Sequence, residues 1–306
     1  MQFWFKAGTS IFRARARKRR LNFTCETGDR QCPRKVLQEQ PYNRMPHWIR
    51  YDHDGLTGFG ALEGKIIRVH EGDMFNAPKA SGRELPLNTV SILPPTEPTK
   101  MVALWNNFHA LAKKLDQAVP EDALFFLKAS NSFLATGESI RRPPTYSGKV
   151  IYEGELGIVI GRRCSGVTEA ESIDYIFGYT CINDVTAIDL INKDPTFPQW
   201  ARAKSFDTFG VFGPVVATDL DPDTLTVRTV LNGDERQNYP VSDMIHGPRK
   251  LVSMISNDMT LLPGDVICCG TSVGVGAMKE PHNTIEVTID GIGTLSNVFE
   301  QQNGGA

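Results

Sequence analysis

The 306-residue chain lacks a strong charge of either sign: 33 Lys and Arg stand against 35 Asp and Glu, for a formal net charge of −2. That balance gives no reason to expect nucleic acid or an anionic membrane as a partner. It also lacks an apolar run of the roughly 20 residues that a bilayer-spanning helix needs, so no membrane is expected. Cysteine is scarce. The six are Cys25, Cys32, Cys164, Cys181, Cys268 and Cys269, and they show no framework spacing. Cys181, Cys268 and Cys269 sit in apolar, strand-like runs and read as reduced core thiols of a cytoplasmic protein. A bridge or a metal pair stays open for Cys25 and Cys32, with nothing nearby to favour either. No internal repeat is present, and strand-like runs rarely alternate with helices, which argues against a doubly wound sheet. The loop Gly270-Thr-Ser-Val-Gly-Val-Gly276 lacks the Lys-Ser/Thr ending of a phosphate-binding loop. No helix pattern or βαβ unit follows it, as a dinucleotide fingerprint requires.

Three segments can be distinguished. Residues 1–44 carry the dense basic run Phe12–Arg20 and little that would make a core, so they read as a disordered basic extension. A targeting presequence, a nucleic-acid-binding arm and upstream sequence attached by a wrong start codon are all open. The wrong start is favoured, because Met45 precedes His47-Trp-Ile-Arg-Tyr51, which resembles the first strand of a fold. Residues 45–99 read as a small N-terminal β unit with turns at Asp54-Gly55 and Glu63-Gly64, followed by a Pro- and Gly-rich connection over 76–99. Residues 100–302 read as the catalytic domain. Its expected strands are 100–104, 150–160, 175–182, 211–217, 226–231, 265–269 and 284–289. Its expected helices are 107–117, 168–172, 185–191 and 249–256. The fold class is therefore α+β and β-rich.

The most informative step is Glu153-Gly154-Glu155, inside an apolar strand-like run. Side chains two apart on a strand share a face, so both carboxylates project together. Like charges on an apolar strand are costly without a cation or a shared proton. An edge strand with its Glu face in water is the plain alternative. A third carboxylate, Asp184, stands where the run Tyr175–Ile182 ends; it suits a metal, or an Asx cap for the following segment. No Cys or His lies beside these three at zinc spacing, and oxygen-only ligands favour Mg²⁺ or Mn²⁺, with Ca²⁺ also open.

Here the chain resembles the fumarylacetoacetate hydrolase superfamily, over roughly Val102 to Phe299. The matching pieces, in order, are Phe126-Leu-Lys128, Tyr152-Glu-Gly-Glu-Leu156, Gly178–Ala187, Gln199–Phe209, Gly213-Pro214, Leu231–Gln237, Thr260–Ile267 and Gly270–Gly276. Any one alone is weak; together and in order they are specific. The resemblance implies a mixed β-roll or sandwich catalytic domain of the superfamily's type, a small N-terminal β unit beside it, and a homodimer. It implies an Mg²⁺- or Mn²⁺-dependent enzyme acting on 2-oxo or 1,3-dioxo acids and their enols through a metal-stabilised enolate. Hydrolysis of a C–C bond, isomerisation and decarboxylation share that intermediate. Carried over by position, Glu153, Glu155 and Asp184 are the metal ligands, Lys204 lies beside the metal, and Thr271 offers its hydroxyl and N–H to a substrate carboxylate.

The remaining candidates carry two readings each. Lys128 reaches the same cavity or is a strand-end lysine in water. His109 is a base or a helix-surface histidine. In hydrolytic members a histidine near this position works with a glutamate one turn later, and here that position is Ala112. Without a carboxylate partner His109 is a weaker base, which shifts weight from hydrolase towards isomerase or decarboxylase. Many members carry Arg and Gln where this chain has Ile188 and Ile191, which makes that wall apolar and weakens the grip on a small dicarboxylate. A non-catalytic metal- or ligand-binding protein on the same fold is the competing class.

Overall fold

A computed structural model of the chain describes residues 47–301. The basic run, the rest of the 1–44 segment, Cys25 and Cys32 lie outside the described residues. Among the described residues, no helix is long and apolar enough to cross a membrane.

The chain opens with three antiparallel hairpins built from β1 (His47–His53), β2 (Leu56–Glu63), β3 (Ile66–Asp73) and β4 (Asn76–Pro86). Asp54 and Gly55 both take positive φ, 55° and 79°, the conformation of a two-residue hairpin turn. β4 corrects the expected connection, since its first half is a strand. It is an edge strand, largely exposed and with register shifts against β3. Its polar, Pro- and Gly-containing composition suits a solvated edge and hides the strand from a pattern search. The short β5 (Ser91–Ile92) then pairs with β1.

Next come β6 (Met101–Trp105), α1 (His109–Lys114), β7 (Leu124–Lys128), β8 (Phe133–Leu134), β9 (Ser139–Arg141), β10 (Val150–Tyr152), β11 (Gly154–Ile160), β12 (Ile176–Asp184) and β13 (Thr186–Ala187). After α2 (Trp200–Lys204) come β14 (Gly210–Ala217), β15 (Thr226–Leu231), β16 (Asp234–Pro240), α3 (Pro248–Asp258), β17 (Val266–Cys268), β18 (Gly276–Ala277), β19 (His282–Ile289) and β20 (Gly293–Glu300). The result is the β-rich α+β class that the sequence leads one to expect. A 12-stranded sheet runs β4-β3-β2-β1-β14-β12-β11-β17-β6-β7, with β5 and β8 paired off that path. A five-stranded sheet runs β16-β15-β19-β20-β9, and β13-β10-β18 form a third. The N-terminal hairpins thus extend the large sheet through the β1–β14 pairing.

Strand alternation decides what faces what. On β11, Leu156, Ile158 and Ile160 point into the main core, together with Val227, Ile285, Val287 and Leu295 of the five-stranded sheet. Val159 points the other way, into a second cluster with Ala103, Ile182 and Cys268. Glu155 shares the face of Val159. The charged site is therefore built on the side of the large sheet away from the main core.

Three expected helices change form. The 107–117 segment is helical only over α1. The 185–191 segment is β13 followed by a single 3-10 turn, Ile188–Leu190, in keeping with its β-branched start. At 168–172 a hydrogen-bonded turn precedes the 3-10 segment Ser172–Tyr175. α3 forms as expected, with Pro248 in its first turn and Leu251, Val252 and Ile255 buried on one side.

One buried carboxylate ties the 99–100 segment to the turn in which it lies itself. Asp265 is fully buried. Its Oδ1 accepts from the Thr99 N–H at 2.9 Å, the Thr99 hydroxyl at 2.7 Å and the Lys100 N–H at 3.1 Å. Its Oδ2 accepts from Lys100 Nζ at 2.5 Å and the Leu262 N–H at 2.8 Å. Asp265→Ala leaves several of these donors unmet inside the protein. We expect a loss of about 3 kcal/mol or more, read as a lowered urea midpoint with an unchanged slope.

Candidate active site

The run 150–160 is not one strand. β10 pairs with β13 and β18, whereas β11 pairs with β12 and β17. The chain changes sheets at Glu153. Asn183 and Asp184 seal the break: the Glu153 N–H donates to Asn183 Oδ1 at 3.1 Å, and the Asp184 N–H donates to the Glu153 carbonyl at 2.8 Å. Gly154 is required there, because a Cβ would lie 2.0 Å from Thr229 Oγ1. Although the continuous strand is absent, the carboxylates meet. Glu153, Glu155 and Asp184 each offer an oxygen within 4.8 Å of the others. Asp184 does not cap a helix; its side chain turns into this cluster.

Two lysines enter from neighbouring elements. Lys204, at the end of α2, donates to Glu153 Oε2 at 2.8 Å and to Asp184 Oδ2 at 2.6 Å. Lys128, at the end of β7, donates to Asp184 Oδ1, to the Lys204 carbonyl at 2.6 Å and to the Val185 carbonyl at 3.4 Å. Both are 2% exposed, which removes the reading of Lys128 as a strand-end lysine in water. With all three carboxylates ionised, they would outnumber the two ammonium groups by one charge.

The charges shift one another. Burial pushes Glu155 well above the usual carboxylate range, and Asp184 and Glu153 add to the push. Burial raises Glu153 too, with Lys204 opposing. Burial also works to raise Asp184, but Lys128 and Lys204 outweigh it and hold that carboxyl below its ordinary value. Burial opposes the charge on Lys204, yet Asp184 and Glu153 outweigh it and raise the ammonium above its usual range. Burial lowers Lys128, with Asp184 opposing; three acceptors around its nitrogen keep it the cationic partner of Asp184.

Glu155 gives the clearest indication that the cluster suits a cation. Its Oε2 accepts from the Gly270 N–H at 2.9 Å, while Oε1 is buried without a partner. A donor set of oxygens alone, with an excess negative charge once fully ionised and an orphaned carboxylate oxygen, fits a hard divalent cation. Glu155 must lose its proton to ligate. Its folded pKa is raised, so its contribution to stability is present below the unfolded value and lost as pH rises through the folded one. We therefore expect Mn²⁺ to bind more tightly as pH rises, to release protons on binding, and to raise the melting temperature most at high pH. Calorimetry in two buffers of different ionisation enthalpy checks this.

Other expected residues are placed differently. Thr271 is buried next to the cluster, but its hydroxyl is committed: it donates to the Gly154 carbonyl at 2.9 Å and accepts from Gln237 Nε2 at 2.8 Å. His109 is exposed at the first position of α1, and Ala112 is buried. Ile191 belongs to the main core, and Ile188 packs half-buried against it.

Sequence reasoning missed Gln237 and Tyr239. Gln237 Oε1 accepts from the Gly154 N–H at 3.0 Å, and the Tyr239 hydroxyl donates to the Gly154 carbonyl at 2.5 Å. Both are buried on one face of β16. A Gln and a Tyr two apart in a polar strand are the signal that could have found them. A cavity of about 630 Å³ elsewhere, lined in part by Tyr179, Asp221 and Arg249, holds none of these groups. The chemistry is located by the charge cluster, not by cavity size.

Comparison with known proteins agrees with this geometry. Residues 100–300 match the family described as fumarylacetoacetate (FAA) hydrolase, C-terminal. Residues 47–95 match the family described as Rv2993c-like, N-terminal. Protein Rv2993c of Mycobacterium tuberculosis is 43% identical over 254 residues, 80% of this chain and 94% of that protein. The oxaloacetate tautomerase YisK of Bacillus subtilis is 34% identical over 300 residues, covering 86% of this chain and 99% of YisK. The crystal structure of a 2-hydroxyhepta-2,4-diene-1,7-dioate isomerase from Mycobacterium marinum superposes with a TM-score of 0.77 at 37% identity, covering 84% of this chain and 99% of that one.

Proposed function

We propose, for a chain that belongs to the fumarylacetoacetate hydrolase family, that it is a divalent-metal-dependent isomerase interconverting the enol and keto forms of 2-oxo acids. The observation that carries this reading is a buried Lys204–carboxylate cluster without a water-activating pair beside it: His109 is exposed on α1, and the position one turn later is Ala112. Hydrolysis of a C–C bond needs an activated water. Tautomerisation breaks no C–C bond and consumes no water; a proton leaves the enol oxygen and a proton is added to the neighbouring carbon. The similarity to an oxaloacetate tautomerase and to a diene-dioate isomerase supports the same class.

Glu153, Glu155 and Asp184 are the residues that would hold Mg²⁺ or Mn²⁺. When bound, the ion supplies Lewis-acid polarisation of the 2-oxo group and a template for the adjacent carboxylate. The chain's own groups do the rest. Lys204, kept cationic by Asp184 and Glu153, stabilises the negative charge that develops as the enol proton departs. Lys128 spends its donors on Asp184 and two carbonyls, so it orients that carboxylate and does not touch the substrate. The Gly270 N–H fixes Glu155 through one oxygen and leaves the other free to ligate. Gln237, Tyr239 and Thr271 clamp the Gly154 peptide between the two glutamates.

The test is a reaction in D₂O with Mn²⁺ and a 2-oxo acid such as oxaloacetate, followed by NMR. Isomerisation exchanges deuterium into carbon 3 faster than the buffer does, and leaves the carbon skeleton whole. Enzyme-dependent release of pyruvate or of a second acid, with no exchange of the intact substrate, would replace this reading by decarboxylation or hydrolysis.

A further inference from the structure

We propose that the aromatic-walled cavity beside Lys204 holds the substituent of the substrate, so that the 2-oxo acids handled here carry an aryl or similarly flat apolar group at carbon 3. This rests on the charged cluster being the reacting centre.

Two elements lead from that cluster to the cavity. On β7, Leu124, Phe126 and Lys128 share one face and stand opposite Trp105, Ala103 and Met101 of β6. Lys128 is the buried end, inside the cluster, and Leu124 is the outer end, 42% exposed. On α2, Trp200 and Lys204 are four residues apart and so lie on the same side of the helix. Lys204 reaches the carboxylates, and Trp200 joins the cavity wall. The rings form a continuous surface. Lys204 Nζ lies 5.2 Å from the centre of the Phe126 ring. Trp200 stacks on Phe126 at 5.3 Å with planes 16° apart, and Trp105 lies 5.1 Å from Trp200.

The cavity, of about 430 Å³, is lined by Trp105, Ala123, Leu124, Phe125, Phe126 and Trp200. No charged side chain lines it. Trp105, Phe126 and Trp200 are each only half-buried, so ring surface remains for a ligand to cover. A mostly apolar concavity with a few convergent polar groups is the usual form of a small-molecule site, and here the Lys204 ammonium stands against the Phe126 ring that forms one wall. The Lys204 ammonium, the group that meets the developing enolate, lies 5.2 Å from the Phe126 ring centre, so a substituent on carbon 3 is within reach of that ring. A second carboxylate placed there would lose its hydration against ring faces. The cation beside the Phe126 ring, Lys204, is already shared by Glu153 and Asp184.

The experiment measures binding of phenylpyruvate and of oxaloacetate by calorimetry, on the full chain loaded with Mn²⁺, alongside turnover of both acids. Wild type is expected to bind phenylpyruvate about tenfold or more tightly than oxaloacetate, the scale of burying one ring face. Trp200→Ala and Leu124→Ala are expected to shrink that ratio several-fold. Leu124 is exposed, so its variant has little packing to lose. Equal or reversed affinities in wild type, or a ratio unchanged in both variants, overturns the inference; rings covered by a second copy of this chain would give that result. A phenylpyruvate preference that falls in both variants, with neither acid turned over, upholds the cavity's role and sinks the catalytic reading. Turnover of both acids without any binding preference does the reverse.

Discussion

Glu155→Gln is expected to abolish metal-dependent turnover while leaving the fold as stable as before, or more so. The carboxylate is fully buried, holds its proton well above the usual range because of burial and the neighbouring Asp184 and Glu153, and has one oxygen without a partner. Glutamine keeps the shape and the acceptor for the Gly270 N–H and is neutral at every pH, so folding no longer has to disfavour an anion there. In the metal-free state that substitution replaces a carboxyl whose ionisation burial already opposes; in the loaded state it deletes a ligand. Changing a group one step removed from a metal lowers affinity or activity by about 10–100-fold, so loss of a ligand itself should exceed that range. The melting temperature of the metal-free variant should match or exceed that of wild type, and Mn²⁺ should no longer raise it. A variant with full activity, or one whose melting temperature still climbs with Mn²⁺ as in wild type, would remove Glu155 from the site.

Lys204→Met should split two quantities that usually move together. The ammonium is shared by Glu153 and Asp184 and lies over the Phe126 ring, so a thioether of similar length keeps the apolar contact. Removing the charge leaves three carboxylates with Lys128 alone, and metal affinity should rise. It also removes the cation that meets charge developing on the substrate, a contribution of about 10²–10³-fold in kcat for a well-placed group. Tighter Mn²⁺ binding with a fall in kcat of that order is the expected pair of results. Weaker binding with unchanged kcat would make Lys204 a structural counter-ion only.

The charged cluster was legible in the sequence because acids and lysines in apolar strand contexts are costly to bury unless something compensates them. Glu153, Glu155 and Asp184 stood out on that ground, whereas Lys204 entered only through the resemblance, and the ordered motifs tied the four together. Legibility failed where the physics is not local. Glu153 stands at a change of sheet, which depends on β12, β13 and β18, far along the chain, and periodicity cannot report it. The braces Gln237 and Tyr239 reach Gly154 from the opposite sheet. Thr271, carried over from the resemblance, lies buried with its hydroxyl donated to the Gly154 carbonyl, a partner that motif spacing does not report. Edge strand β4 was hidden by polarity that edges require. The 185–191 segment was misjudged because its apolar spacing suits a helix, while Thr186 and Ala187 pair with β10. His109 carries two readings in the sequence, and it stands exposed at the first position of α1.

The most direct measurement is a Mn²⁺ titration of the full chain in which bound ion, by electron paramagnetic resonance, and enol-to-keto conversion of a 2-oxo acid, by ultraviolet absorbance, are followed in the same samples. The account predicts that conversion rises with occupancy, saturates at one ion per chain, and disappears with chelator and in Glu155→Gln. Conversion that persists at the wild-type rate with chelator present, or an ion that binds Glu155→Gln as tightly as wild type, would contradict it.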